Sequence, residues 1–188
     1  MTRSESPLRA SVMETKPTGG QDRSSLAYSE EDRLAVLALH MPMQAEDDPE
    51  LETIVEFAAQ LAGCPTALVS LVDSSKQRFV ARCGLEDKET PRSHSFCQYA
   101  MLETKVMEVL DATQDPRFRT NPLVVGKPFI RFYAGAPIVS DEGLPLGSLC
   151  VISPEARTAP LNNFQHDGLM VMAKAAMRRL KHLGRIGK

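Results

Sequence analysis

A chain of 188 residues, 43% apolar and 24% charged, carries enough material for one domain with its own core. Its formal net charge of -2 gives no global attraction for nucleic acid or an anionic membrane surface. No apolar run approaches the ~20 residues of a membrane span, and no apolar stretch follows Arg3 and Arg9 as in a secretory signal, so the cytosol is the expected compartment.

Aromatic residues make up 5% of the chain and Trp is absent, so the core must be built from Leu, Val, Ala and Met. The four cysteines, Cys64, Cys83, Cys97 and Cys150, are scattered and never form a CxxC pair. That pattern argues against a zinc site and for reduced, buried thiols. His40, His166 and His182 form no ligand constellation with other side chains, His94 in a loop reads as a surface histidine in preference to a contact for a haem-like ligand, and no metal is expected.

Residues 1–28 are rich in Ser, Thr, Pro and Gly without apolar periodicity, and read as a flexible tail. One domain is expected over 29–184, with 185–188 as a short C-terminal tail. Ser29 followed by Glu30, Glu31 and Asp32 is a helix start, with Leu34, Leu37 and Met41 at helical spacing and a stop at Pro42. A second helix begins at Pro49, faces the core with Leu51, Ile54, Val55, Ala58 and Leu61, and ends at Gly63 before Pro65. The period then changes. Ala67–Val72 reads as a buried strand and Asp73–Ser75 as a turn. Arg78–Cys83 reads as a half-buried strand with Phe79, Ala81 and Cys83 on one face, forming an antiparallel hairpin with the first.

A short helix is expected over Phe96–Leu102 and a strand over Val106–Leu110. A long irregular segment follows, from Asp111 to about Pro128. Ile130–Val139 and Leu146–Ile152 form a second hairpin around Ser140–Gly143, and Pro137 needs an edge or a bulge. The last helix spans about Asn162–Leu183, with Leu169, Met172, Ala173, Ala176, Leu180 and Leu183 on one stripe and Met170 and Met177 beside it. The order predicts an α+β domain: a central antiparallel sheet of five or six strands flanked by N- and C-terminal helices.

The segments Ala67–Asp73, Gln77–Ala81, Glu89–Arg92, Ser95–Cys97, Asp111–Thr113, Asp115–Phe118, Asn121–Val124, Ile130–Pro137 and Leu146–Ile152 stand out. In this order and at these spacings they resemble GAF domains of bacterial signalling proteins. With the flanking helices the resemblance runs from about residue 30 to the C-terminus. It implies a sheet with helices on one side and a ligand pocket on the other, in a sensory or regulatory module that is not itself an enzyme. Such modules bind a small molecule or a protein partner and commonly adjoin histidine kinases, cyclases or transcription activators. The chain shows no sequence signature of those outputs, so a separate signalling protein is the expected carrier of any output.

The resemblance implies a pocket near Phe96, Cys97, Phe118, Arg131 and Tyr133. Arg131 and Tyr133 share one strand face, opposite Phe132 and Ala134. An Arg beside a Tyr can clamp a carboxylate or phosphate; the plainer reading, preferred here, pairs Arg131 with Asp111 or Asp115. Covalent bilin attachment through Cys97 is disfavoured, because Gln98 stands where bilin-binding relatives carry His. The signature of cyclic-nucleotide-binding members is missing. Some small GAF proteins reduce free methionine sulfoxide, and Cys83 with Cys97, flanking one loop, form the thiol pair of that alternative. A purely structural dimerisation module is the other alternative. A homodimer through the terminal helices is expected, with Met170 and Met177 widening the apolar stripe. The acidic cluster Glu46, Asp47, Asp48, Glu50 and Glu52, opposite basic residues of the last helix, is read as solvated flank. Three readings separate on the pocket: a cavity of about 300 Å³ or more favours a ligand, a filled interior favours the dimer module, and two sulfurs close enough to bridge favour redox chemistry.

Overall fold

The computed structural model describes residues 28–39, 45 and 48–186. The expected tail up to residue 27, His40, the Met41–Pro42 helix stop, and Glu46 and Asp47 lie outside the described residues.

Helix α1 (Glu30–Leu39) starts as its sequence dictates. Asp32 N–H donates to Ser29 Oγ at 3.0 Å, and the Ser29 hydroxyl donates back to Asp32 Oδ2 at 2.7 Å, so two otherwise unpaired groups satisfy each other. The helix buries Leu37 and, unexpectedly for a polar position, Arg33, which is 1% exposed. Arg33 Nη1 donates to Val72 O at 2.8 Å and Pro145 O at 3.3 Å, while Glu30 holds the rest of the guanidinium. The bond from Arg33, joined by one from Arg92, holds the Glu30 carboxyl down at about 2 against the opposing effect of burial.

Helix α2 (Pro49–Ala62) has every expected punctuation mark. Asp48 caps it by accepting from Leu51 N, Pro49 opens it, and Gly63 closes it in the left-handed region at φ 61°, where a side chain would be strained. The strands are β1 (Thr66–Val72), β2 (Lys76–Cys83), β3 (Glu89–Pro91), β4 (Met107–Val109), β5 (Phe132–Val139) and β6 (Pro145–Ser153). They form one antiparallel sheet in the order β3-β2-β1-β6-β5-β4. Short helices α3 (Cys97–Ala100) and α4 (Pro122–Val125) lie in the connections, and α5 (Asn163–Ile186) ends the described chain.

The two expected hairpins are present. In the first, Asp73 Oδ1 accepts from the backbone N–H of both Ser75 and Lys76, which fixes the turn between β1 and β2. Pro137 is tolerated because β4 ends opposite Gly135, leaving β5 an edge strand at the proline. Three details depart from expectation. Strand β3, an exposed three-residue pairing on the β2 edge, was not foreseen. Helix α3 is shorter than the expected Phe96–Leu102. Phe79 and Ala81 do not share a face: the register steps from Val69↔Ala81 to Ser70↔Phe79, so Val80 is an extra, bulged residue. The bulge turns Phe79 to one side of the sheet and Val80 and Ala81 to the other.

The sheet divides two cores. Against α2 and α5 lies an aliphatic cluster that includes Leu51, Val55, Ala67, Val69, Leu71, Phe132, Ala134, Leu149, Val151, Leu169 and Leu180. Asp48, the cap of α2, also receives Arg179 of α5 at 2.7 Å, tying the two helices at one end. On the opposite face, under α3 and the 111–130 segment, lie Leu68, Val72, Phe79, Phe96, Cys97, Phe118, Tyr133, Cys150 and Ile152.

Candidate functional site

The far face of the sheet is assembled from alternate residues of three adjacent strands. Residues directly opposite in an antiparallel pair share a face. The pairs Tyr133↔Ile152, Gly135↔Cys150, Pro137↔Ser148 and Ser70↔Ser148 therefore bring Tyr133, Ser148, Cys150 and Ser70 to one side. The Tyr133 ring lies along its own strand over Gly135. A Cβ on Gly135 would stand 2.2 Å from the Tyr133 hydroxyl, so only glycine permits this position.

So placed, the Tyr133 hydroxyl donates to Cys97 Sγ at 3.4 Å and stands 3.3 Å from Ser148 Oγ. Cys97 comes from the first turn of α3, and its sulfur is 3.6 Å from that of Cys150 on β6. Both cysteines are almost fully buried, at 2% and 1% exposure. Ser70 Oγ, buried in the same layer, has no hydrogen-bond partner among the described residues. Burial opposes a thiolate at Cys97, but the S–H and O–H groups around it, those of Cys150, Ser148 and Tyr133 foremost, outweigh burial and draw its pKa below the ordinary thiol value. The Cys150 thiol is pushed well up, first by its hydrogen bond to Cys97 and then by burial, and burial raises the Tyr133 phenol too.

Aromatic stacking holds the cap. Phe96 stacks on Phe118 at 3.9 Å between centroids and on Tyr133 at 5.1 Å, and Tyr99 meets Phe118 edge-on at 5.3 Å. Ser95 bonds Gln77 of β2 and also accepts from Gln98 N at 3.1 Å, so it ties the first turn of α3 to the sheet. Gln98 turns its amide back onto the carbonyls of Arg92 and Ser95. The 111–130 segment is stapled by its polar side chains. Asn121 caps α4 and reaches His94 O at 3.0 Å, while Asp115 holds Arg117, whose guanidinium lies over the Phe118 ring.

A cavity of about 30 Å³, room for roughly one or two waters, lies between these layers. Its lining includes Leu68, Phe79, Phe96, Cys97, Tyr133, Cys150 and Ile152, with Gln77, Asp87 and Thr90 as its polar members. The interior is therefore nearly filled by side chains, well below the ~300 Å³ of an open ligand pocket.

Of the five residues expected at a pocket, the structure brings together Phe96, Cys97 and Tyr133 on the cavity, with Phe118 behind Phe96. Arg131 is not there. Its guanidinium donates to Val124 O at 2.9 Å and closes the end of α4, and it pairs with neither Asp111 nor Asp115. It only helps Thr113 keep the Asp111 carboxyl low. The expected pairing of Cys83 with Cys97 is corrected. Cys83, at the end of β2 beyond the Val80 bulge, packs on the helix-side core, across the sheet from Cys97. Cys97 meets Cys150, a residue not singled out beforehand. The signal lay in the second hairpin, whose register puts Ser148 and Cys150 on the Tyr133 face. Among the described residues no group of three or more His, Cys, Asp or Glu could hold a metal ion. His166 is engaged by Glu108 at 2.9 Å.

Met170 and Met177 do not form an exposed stripe. They line a groove of about 480 Å³ between α5 and the Pro137–Pro145 hairpin. The exposed large apolar residues of α2 and α5 are Phe57, Phe164 and Val171. No helix among the described residues is long and apolar enough to cross a membrane.

A family model described as GAF domain matches residues 46–180. The cyclic di-GMP phosphodiesterase PA2567 of Pseudomonas aeruginosa is 44% identical over 167 residues, covering 86% of this chain and 27% of that protein. The chain thus spans about a quarter of the length of this curated relative. Among solved structures, the GAF domain of a phosphoenolpyruvate-protein phosphotransferase from Coxiella burnetii superposes with TM-score 0.59 at 15% identity, covering 85% of this chain and 99% of that one. The free methionine-R-sulfoxide reductase of Neisseria meningitidis superposes with TM-score 0.55 at 19% identity, covering 94% and 100%. At these identities the two structures speak for the fold alone.

Proposed function

Because the chain belongs to the GAF domain family, we propose that it is a non-catalytic regulatory module of a cytosolic signalling system, one that governs turnover of a cyclic dinucleotide. The observation that carries this reading is the 44% identity to a cyclic di-GMP phosphodiesterase along 86% of the chain. The face of the sheet bearing Cys97, Tyr133 and Cys150 is the input side. Its near-filled cavity takes a ligand of only a few atoms unless the cap over it opens. The face bearing α2 and α5 is the output side, through which a second copy or a partner is met.

Three features support a helix-mediated homodimer. Phe57, Phe164 and Val171 stand 59%, 75% and 62% exposed on α2 and α5. Residues Glu52 and Glu56 give α2 an acidic outer edge, and Lys174 and Arg178 give α5 a basic one. A two-fold pairing sets each edge against its opposite. The reductase alternative loses its support, because Cys83 and Cys97 lie across the sheet from each other.

The test exchanges this chain for the matching segment of the Pseudomonas enzyme and follows cyclic di-GMP hydrolysis. The reading expects the chimera to hydrolyse the dinucleotide at a rate that shifts severalfold when Tyr133→Trp fills the cavity. It also expects the purified chain alone to hydrolyse none. Turnover by the chain alone, or a folded chimera indifferent to the cavity substitution, contradicts it. Light scattering at tens of micromolar should give a dimer that Phe164→Asp dissociates.

A further inference from the structure

The Cys97–Cys150 contact is not needed for a regulatory fold, and nothing in the reading above uses it. Its surroundings are unlike those of an ordinary buried cysteine. Two sulfurs, 53 positions apart in sequence, meet at 3.6 Å at the wall of a cavity. The hydroxyl of Tyr133 points at one of them, and the hydroxyl of Ser148 stands beside that of Tyr133. Ser70 adds a third hydroxyl to the layer, buried and without a partner among the described residues. An interior core seldom gathers this much hydrogen-bonding capacity around a thiol pair without a use for it.

We infer that Cys97 and Cys150 form a reversible thiol–disulfide site that reacts with small hydroperoxides entering the cavity. Both thiols line the cavity, and Cys97 attacks because it is the one that receives the Tyr133 hydrogen bond, which favours its thiolate. Its sulfur bonds to one peroxide oxygen while the O–O bond breaks. The departing hydroxide takes up a proton and leaves as water, and Cys97 becomes a sulfenic acid. The Tyr133 hydroxyl, 3.4 Å from the Cys97 sulfur, is at hand to donate to the new S–O group. Cys150 then attacks the Cys97 sulfur. The S–O bond breaks, the oxygen leaves with the Cys150 proton as a second water, and an S–S bond forms. Two thiols and one hydrogen peroxide thus give one disulfide and two waters. A dithiol reductant returns the pair to thiols by exchange.

The disulfide draws the sulfurs from 3.6 Å to about 2.05 Å. Cys97 sits in the first turn of α3, so that contraction acts on the cap that carries Phe96. The site differs from the Cys83–Cys97 pairing considered from sequence, and it stands or falls independently of any link to cyclic dinucleotides.

The experiment treats the reduced chain with one equivalent of hydrogen peroxide and maps its peptides without reduction. The inference expects a single cross-linked species joining Cys97 to Cys150, reversed by dithiothreitol, with Cys64 and Cys83 still free. The cross-link should raise the melting temperature by about 5 °C, as a well-placed disulfide in a domain of this size does. In Cys150→Ser, dimedone should trap the sulfenic acid at Cys97. The small cavity should make hydrogen peroxide react at least about tenfold faster than cumene hydroperoxide, a margin equal to one decade of rate. Oxidation that begins at Cys83, a disulfide between two copies, equal rates for the two peroxides, or four free thiols after excess peroxide would each overturn the inference. The wild-type map decides the matter even if a cysteine variant fails to fold.

Discussion

The two faces of one sheet are built from different chemistry. On the α2/α5 face the cluster is apolar throughout, mostly Leu, Val and Ala, and the polar groups that stabilise it, Asp48 with Arg179, sit at its rim. On the α3 face, stacked aromatics surround two thiols and three hydroxyls, around a cavity that the side chains nearly close. The contrast teaches that adjacent residues of β5 serve separate ends. Phe132 and Ala134 pack into the helix-side core, while Tyr133, between them, faces the thiol pair and its cavity.

The largest expected effect lies on the helix side. Leu149→Ala removes a fully buried side chain and should cost about 3–4 kcal/mol in urea unfolding, yet leave peroxide cross-linking of Cys97 and Cys150 unchanged. Loss of that cross-linking in a folded variant would mean that the two faces are not independent.

Arg33→Met comes next. It strips Val72 O and Pro145 O of their buried donor and leaves Glu30 with Arg92 alone, a loss of about 3 kcal/mol. Equilibrium unfolding should show it, with α1 the first element to lose hydrogen-exchange protection.

A smaller effect carries a pH signature. The Asp48 carboxyl is held below its ordinary value, first by its hydrogen bond from Arg179. It therefore adds stability above the unfolded value of about 3.9, and that stability disappears as pH falls through the lower folded value. Asp48→Asn keeps the helix cap but loses the charge, at a cost of about 1–2 kcal/mol at pH 7. Urea midpoints for the two proteins should converge as pH falls from about 4 towards 2.5. A constant gap across that range would assign the effect to packing.

The smallest change is on the α3 face. Ser70→Ala removes a buried hydroxyl that has no partner among the described residues and should alter stability by less than about 1 kcal/mol. If the hydroxyl serves the thiol pair, the same substitution should slow Cys97 oxidation. A loss of several kcal/mol would show that Ser70 belongs to the structural half of the comparison.

Much of the fold was legible because its signals are local. Asp48, Pro49 and Gly63 punctuate α2 within a few residues of chain. Asp73 closes its own hairpin, and alternation along β5 correctly separates Tyr133 from Phe132. What escaped depends on distant partners. Arg33 reads as a surface residue until the ends of β1 and β6 supply its carbonyls. Strand β3 has no apolar pattern, since both of its outer residues are exposed. The Val80 bulge defeats a period-two reading and leaves Cys83 on the helix side of the sheet, although it flanks the same loop as Cys97. Arg131 was expected to hold the long segment through Asp111 or Asp115, with an anion clamp as the other reading; it does reach that segment, but through the carbonyl of Val124.

The central claim is that Cys97, Tyr133, Ser148 and Cys150 meet on the face of the sheet away from α2 and α5. Nuclear Overhauser contacts of the reduced protein in solution test it most directly. The structure predicts contacts from the Tyr133 ring to the β-protons of Cys97 and Ser148, and from Cys97 to Cys150. Contacts from Cys97 to Cys83 or to side chains of α5, with none to Tyr133, would contradict it.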